Sequence, residues 1–188
     1  KQARFNLGDV DVTLLDTPGH VDFSSEMERT LQVLDYGILV INGADGIQGH
    51  TQTLWKLLED YQIPTFIFVN KMDQNGTDKK ALLMELQHRF SDECIDFGDD
   101  TTWKTISESV AITDEKLLEK FIETDTLNIQ DVIKPIVARQ VFPVYFGSAL
   151  KNIGVENLLK GLKEFSTSRK YNKKFGARVY KISRDSQG

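Results

Sequence analysis

Residues 64–73 read Pro64-Thr65-Phe66-Ile67-Phe68-Val69-Asn70-Lys71-Met72-Asp73. The short, continuous apolar run is typical of a strand that is buried on both faces of a parallel sheet. Residues 36–42 and 141–147 show the same pattern, and helical periods lie between the three runs. Strands that alternate with helices predict βαβ units with right-handed crossovers. We therefore expect an α/β fold with a mostly parallel sheet and helices on both of its faces.

The segments outside this pattern predict a hairpin and an insertion. Residues 3–7 and 10–15 flank a Gly-Asp pair and have strand-like alternation, which predicts a β-hairpin. Residues 91–140 begin with an acidic, irregular stretch and continue with two amphipathic helical patterns, over 114–123 and 128–139. We interpret 91–140 as a small helical insertion that contains no strand.

Composition limits the kind of protein that this chain forms part of. Its 188 residues carry a formal net charge of −5, so a general affinity for nucleic-acid phosphates is not expected. The single cysteine, Cys94, excludes an internal disulfide and favours a reducing compartment. No apolar run approaches the roughly 18 residues that a membrane span requires. We expect a cytoplasmic protein without membrane contact.

The polar residues after the 64–69 run have the chemistry that a guanine base requires. Guanine presents its N1–H and its exocyclic amine side by side, and the Asp73 carboxylate can accept from both. The Asn70 amide can bridge to neighbouring acceptors, and the stem of Lys71 can cover the plane of the base. Ligands of open α/β sheets bind at this carboxyl edge. The alternative is a polar turn that leads into a helix cap.

A second polar motif, Asp16-Thr17-Pro18-Gly19, follows the second strand of the predicted hairpin. Asp16 could hold Mg²⁺, usually through water. Gly19 has no Cβ, so its backbone N–H can approach a γ-phosphate closely. His20 follows directly and could orient an attacking water. Taken alone, these residues would more simply form an Asp-Pro-Gly turn and a surface histidine.

Ser148 and Ala149 follow the last buried run, where a backbone N–H could meet the O6 acceptor of guanine. The pair carries little information by itself. Its value lies in the order of three motifs, each placed at the end of a strand. That order makes a chance origin of all three a poor explanation.

These motifs closely resemble those of the translation GTPases. The match runs in order through three segments, Asp16-Thr17-Pro18-Gly19-His20-Val21-Asp22-Phe23, Asp45-Gly46-Ile47-Gln48 and Asn70-Lys71-Met72-Asp73. The resemblance implies a P-loop GTPase-type fold, GTP or GDP with Mg²⁺ as cofactors, and GTP hydrolysis stimulated by the ribosome, with its RNA and proteins as partners. On the phosphate side, the resemblance implies that Asp16 lies in the Mg²⁺ shell, that Thr17 and Pro18 belong to the nucleotide motif, that Gly19 senses the γ-phosphate and that His20 is catalytic. On the base side, it implies that guanine is read by Asn70, Lys71 and Asp73, with the assistance of Ser148 and Ala149.

Within this superfamily, the chain is most similar to the ribosomal-protection tetracycline-resistance proteins, which are relatives of elongation factor G. The interval from Asp73 to Ser148 is short for elongation factor G itself. Two segments are similar to those of the tetracycline-resistance branch: the continuation Gln74-Asn75-Gly76 and residues 142–149. An elongation factor G-type translocation factor stays open as the alternative.

One expected motif is missing. No glycine in the chain begins the Gly-x-x-x-x-Gly-Lys-Ser/Thr pattern that wraps phosphates. In the family, this loop and switch I lie upstream of residue 1, so we expect residues 1–166 to be a partial G domain. Residues 167–188 would be a linker and the first strand of a following β-barrel domain. Such a fragment should bind GTP weakly and be inactive alone. A non-catalytic interaction module that has lost its nucleotide is the other alternative.

The strand that leads into the phosphate loop is missing together with that loop. In the family fold this strand lies between the strand that ends at Leu15 and the strand at 38–41. Its removal would leave a gap of roughly 9–10 Å, twice the spacing of neighbouring strands. Exposed ladder groups are costly and favour pairing. We therefore expect this chain to close the gap, to move the hairpin, or to self-associate by borrowing a strand from another copy.

Overall fold

The computed structural model describes residues 2–17, 24–168, 175–177 and 179. Six strands lie within these residues: β1 (Gln2–Leu7), β2 (Val10–Leu15), β3 (Gly37–Asn42), β4 (Thr65–Asn70), β5 (Cys94–Asp96) and β6 (Phe142–Phe146). The same residues contain seven helices: α1 (Ser24–Leu31), α2 (Gly49–Asp60), α3 (Lys79–Arg89), α4 (Trp103–Ala111), α5 (Glu115–Thr124), α6 (Ile129–Val137) and α7 (Val155–Phe165).

Four of the strands form one parallel sheet in the order β3-β4-β6-β5. Ile38 pairs with Phe66, and Ile67 pairs with Val144. The central strand β4 is buried over residues 65–69, because helices cover both of its faces. The predicted α/β fold with a parallel sheet is confirmed.

Each face of the sheet has its own apolar core, since alternate side chains of β4 point in opposite directions. Phe66 and Phe68 pack on one side with residues of α4, α6 and α7. Ile67 and Val69 pack on the other side with residues of α1, α2 and α3. These two layers hold the strand ends in fixed positions, and the polar residues of interest follow those ends.

The first two strands form the predicted hairpin. β1 and β2 pair antiparallel as a separate two-stranded sheet, with Leu7 opposite Val10. Gly8 has a φ of +70°, a conformation that suits glycine and makes the tight turn possible. The turn contacts the main body through Asp9, whose Oδ1 lies 3.4 Å from the Nζ of Lys163 on α7. Both charges are exposed, so this ion pair is a weak tether.

A cavity of about 620 Å³ lies between the hairpin and the parallel sheet. Its walls include Val12 of β2, Ile38 of β3 and Leu162 of α7. Of the three outcomes expected for the gap, closure beside β3 does not occur. The apolar cores hold β3 against β4, and the hairpin bridges over the cavity to α7. Strand borrowing involves a second copy of the chain and stays a prediction.

Residues 91–140 contain a strand that the sequence did not predict. β5 pairs parallel with β6, with Cys94 opposite Phe142, and it forms an edge of the main sheet. Its three residues are too few to show a strand pattern. Helix α4 was missed as well, although Thr102 caps it by accepting a hydrogen bond from the Thr105 N–H. The predicted helices over 114–123 and 128–139 are present as α5 and α6.

The domain limits stay predictions. Most of the expected strand over 175–182 lies outside the described residues, and the described Phe175 and Val179 are exposed. Among the residues that the structure describes, no helix has the length and apolar character needed to cross a bilayer.

Candidate nucleotide-binding site

The carboxyl ends of β4 and β6 bring two of the predicted motifs together. Asn70 is the last residue of β4, and its Oδ1 accepts a hydrogen bond of 2.8 Å from the Ala149 N–H. Just beyond β4, the Met72 N–H donates to the Gly147 carbonyl at 2.9 Å. Residues that are almost 80 positions apart in sequence therefore share one site. The structure places Asn70, Lys71, Asp73, Ser148 and Ala149 along this edge of the sheet.

The chain turns sharply at Lys71, which has a φ of +64°. This left-handed conformation is unfavourable for a residue with a side chain, and strain of this kind is common at functional sites. The Lys71 N–H donates to Asn70 Oδ1 at 2.8 Å, so one amide oxygen supports both loops of the site. Lys71 itself is exposed at the rim, where its stem is free to lie over a ligand.

Asp73 is the carboxylate of this edge. The Ser148 hydroxyl hydrogen-bonds it, and the Nζ of Lys151 lies 3.1 Å from its Oδ2. The Ser148 hydrogen bond and the Lys151 ammonium hold the pKa of the Asp73 carboxyl below its usual range. An ionised carboxylate accepts hydrogen bonds only, which suits a ligand with two adjacent N–H donors. The residues present therefore fit a guanine base.

Two glycines shape the loop that carries Ser148 and Ala149. A Cβ on Gly147 would lie 2.2 Å from the Ile153 carbonyl oxygen. A Cβ on Gly154, which has a φ of +73°, would lie 2.3 Å from the Phe146 carbonyl oxygen. Both contacts are with backbone, so neither can be relieved by turning a side chain. The lack of a Cβ at both positions therefore lets the loop lie close against the end of β6.

The second predicted group lies on the hairpin. Asp16 and Thr17 follow β2; Asp16 is exposed and Thr17 lines the cavity beside β3. Pro18, Gly19 and His20 lie outside the described residues, so their predicted roles stay predictions. In the described part of the chain, no cluster of three or more metal-binding side chains occurs. A single carboxylate such as Asp16 is compatible with Mg²⁺, which takes most of its other ligands from water and phosphate.

Sequence reasoning missed Lys151, which contacts the Asp73 carboxylate directly. Its position three residues after Ser148 was visible, but lysines in loops are usually solvated. Only the fold of the loop brings its ammonium back to Asp73. Cys94, in contrast, is buried in β5, and burial raises the pKa of its thiol to about 12, which makes it unreactive.

A model of the elongation factor Tu GTP binding domain matches residues 1–168. The chain belongs to this family of GTP-binding domains. The match includes the three strand-end motifs that first indicated a translation GTPase, so that resemblance is confirmed.

The particular relatives are tetracycline-resistance proteins. The chain is 33% identical to TetS of Listeria monocytogenes, over 98% of this chain and 31% of that protein. It is 37% identical to TetP of Clostridium perfringens, over 84% of this chain and 28% of that protein. The chain therefore spans about a third of the length of these relatives. A crystal structure of a Thermus thermophilus protein has the same fold, with a TM-score of 0.77 over 89% of this chain and 32% of that protein, at 22% identity.

Proposed function

We propose that this chain is the guanine-reading part of a GTPase that acts on the ribosome, of the type that protects ribosomes against tetracycline. The observation that carries the proposal is the convergence of Asn70, Asp73 and Ala149 on one edge of the sheet. The relatives named for tetracycline resistance support the choice of branch.

Base recognition would use both loops of the site. The Asp73 carboxylate accepts from the guanine N1–H and amine, and adenine offers no such pair of donors. The Ala149 N–H, which donates to Asn70 in this structure, turns to the guanine O6. Lys71 covers the plane of the base. Selectivity for guanine follows because an adenine amine would face the Ala149 N–H with a second donor.

The segment that begins at Asp16 would contact the phosphates and Mg²⁺. We assign Asp16 to the Mg²⁺ shell, with Thr17 and Pro18 shaping the turn. Gly19 offers a backbone N–H to the γ-phosphate, and His20 orients the attacking water. When bound, Mg²⁺ neutralises charge on the phosphates. The exposure of Asp16 leaves room for the water that usually lies between Mg²⁺ and a carboxylate.

Ribosome binding and tetracycline protection belong, in this proposal, to the whole protein. The chain has a net charge of −5, so ribosomal RNA would be contacted locally or through other parts of the protein. Ribosomal proteins are the other partners. This division agrees with the relatives, of which this chain matches about a third.

The cavity beside β3 suggests how the sheet is completed. In this proposal, a further strand fills the space between β2 and β3 in the whole protein. Without it, this chain self-associates through the open edges, because unpaired ladder groups favour pairing. Sedimentation over a range of concentrations tests this point. A monomer at all concentrations would contradict self-association and leave the nucleotide site untouched.

Labelled GDP with Mg²⁺ tests the function. Two proteins are compared in parallel, this chain and a version that extends upstream through the expected phosphate loop. We expect tight binding by the extended protein and weak binding by this chain, since phosphate contacts carry much of the attraction. Ribosomes should then stimulate GTP hydrolysis by the whole protein. If neither protein binds GDP, the proposal is wrong and a non-catalytic interaction module becomes the better account.

A further inference from the structure

Lys151 is joined to Asp73 in two ways. Its Nζ lies 3.1 Å from Asp73 Oδ2. Its backbone N–H also donates to the Ser148 Oγ at 3.4 Å, and the Ser148 hydroxyl hydrogen-bonds the Asp73 carboxylate. Ser148 is 2% exposed, so it anchors this network from inside the protein. The three residues form a closed set in which each member restrains the other two.

The loop fixes the direction of the Lys151 side chain. Ser148 and Ile153 exchange two backbone hydrogen bonds of 2.9 and 3.0 Å, and the Asn152 N–H donates to the Ala149 carbonyl at 3.2 Å. Asn152 adopts a φ of +55°, which closes the turn. Leu150 then points into solvent and is 93% exposed. Its neighbour Lys151 turns inward to Asp73.

Orientation of the carboxylate decides how it can meet a guanine. The two adjacent base donors are both satisfied only if both oxygens face them, and a freely rotating carboxylate loses one of the two contacts. The Asp73 side chain is 20% exposed and that of Lys151 is 55% exposed, so the orientation of the carboxylate, rather than the strength of the ion pair, is what this contact provides. A charge-assisted hydrogen bond at this position has the geometry to hold the carboxylate.

We propose that Lys151 is a positioning residue for guanine recognition, which holds the Asp73 carboxylate in the orientation that accepts both base N–H groups. The inference rests on the proposed function, because it requires a guanine at this edge. Lys151 acts through Asp73 and does not contact the base. Its removal should therefore weaken the binding of a base with two adjacent N–H donors more than the binding of a base with one, because a carboxylate that rotates freely can still meet a single donor.

Fluorescent GDP and IDP, measured on the whole protein that contains this chain, test this division. The hypoxanthine base of IDP lacks the exocyclic amine. We expect Lys151→Met to weaken GDP binding about tenfold and IDP binding about twofold, since the carboxylate loses the charge-assisted hydrogen bond that orients it. Lys151→Arg should keep most of the selectivity. The control is Lys160→Met, which removes an exposed ion pair with Glu156 on α7 and should change neither affinity.

A second background shows whether Lys151 acts through Asp73. In Asp73→Ala, adding Lys151→Met should change GDP affinity less than about twofold, because residues that work through one contact are not additive. A tenfold loss in that background would mean that Lys151 touches the nucleotide itself and would overturn the positioning role. Equal behaviour of the Lys151 and Lys160 variants in the unmutated background would overturn it too.

A measurement without nucleotide separates this inference from the proposed function. In this chain, the ¹³C shift of the Asp73 carboxyl can be followed against pH by NMR. The Ser148 and Lys151 groups lower the pKa of Asp73, so Lys151→Met should raise it and Lys160→Met should not. No change would show that the ion pair is absent in solution. A raised pKa in a protein that fails to bind GDP would confirm the contact and reject the proposed function, and with it the role in guanine recognition.

Discussion

Replacing Gly154 by alanine should destabilise the loop that carries Ser148 and Ala149. Gly154 has a φ of +73°, which costs a residue with a side chain about 1–2 kcal/mol. The new Cβ would also lie 2.3 Å from the Phe146 carbonyl oxygen and 3.1 Å from the Gly147 Cα. These are backbone atoms, so the loop has to shift, at a cost of roughly 1–3 kcal/mol. The sum is a loss of about 2–5 kcal/mol.

Thermal unfolding followed by circular dichroism measures this loss. For a domain of this size each kcal/mol shifts the melting temperature by about 2–4 °C, so the expected fall is roughly 4–20 °C. The matched control is Gly49→Ala at the first residue of α2, where a Cβ would meet nothing within 4 Å. That variant should melt at the same temperature or slightly higher. If Gly154→Ala melts within about 2 °C of the unchanged protein, the close packing of this loop is refuted.

Three further predictions concern the cores and helix caps. Asp131→Ala should lower the free energy of unfolding by about 1–2 kcal/mol in urea titrations, because the Asp131 carboxylate accepts the Asn128 N–H in the capping box of α6 and pairs with Lys120 at 2.6 Å. Burial raises the pKa of the Asp131 carboxyl, but the hydrogen bonds from Lys120 and the Asn128 N–H outweigh burial and leave the pKa below its usual value. The stability that Asp131 contributes is therefore fully present above its unfolded pKa and should be lost as the pH falls through its folded pKa. An equal effect of the substitution at all pH values would contradict this. Tyr145→Phe should stabilise the protein by about 1 kcal/mol, because the buried hydroxyl has no hydrogen-bond partner among the described residues; a lower melting temperature would count against it. Burial raises the pKa of the Cys94 thiol to about 12, so a thiol reagent at pH 8 should label native protein at least about 100-fold more slowly than unfolded protein, and comparable rates would disprove the burial.

The sequence predicted the parallel sheet because its central strands are long, apolar and punctuated by polar turns. β3, β4 and β6 were each visible as a buried run. β5 was not, because three residues give no periodicity and an acidic stretch surrounds them. Its place in the sheet depends on pairing with β6, from which it is almost 50 residues distant. Such long-range pairing leaves no local signal.

The site was predictable in outline for the same reason. Each motif follows a strand, and parallel strands end at one edge, so Asn70, Asp73 and Ser148 were expected to meet. The Lys151 contact depends on a turn with a left-handed residue at Asn152, which the sequence does not reveal. The sequence also could not show which of the three outcomes expected for the gap would occur. Closure does not occur, because two apolar cores hold β3 in place.

The most direct test of guanine reading is a change of base preference. In Asp73→Asn, the carboxylate becomes an amide that can donate to a carbonyl, and xanthine has a carbonyl where guanine has its amine. We predict that this variant of the whole protein loses about 100-fold in GDP affinity, since the two hydrogen bonds from guanine to a charged carboxylate are lost. It should gain affinity for XDP, since the new amide can donate to the xanthine carbonyl. Unchanged GDP binding, or loss of GDP binding without any gain for XDP, would contradict the role assigned to Asp73.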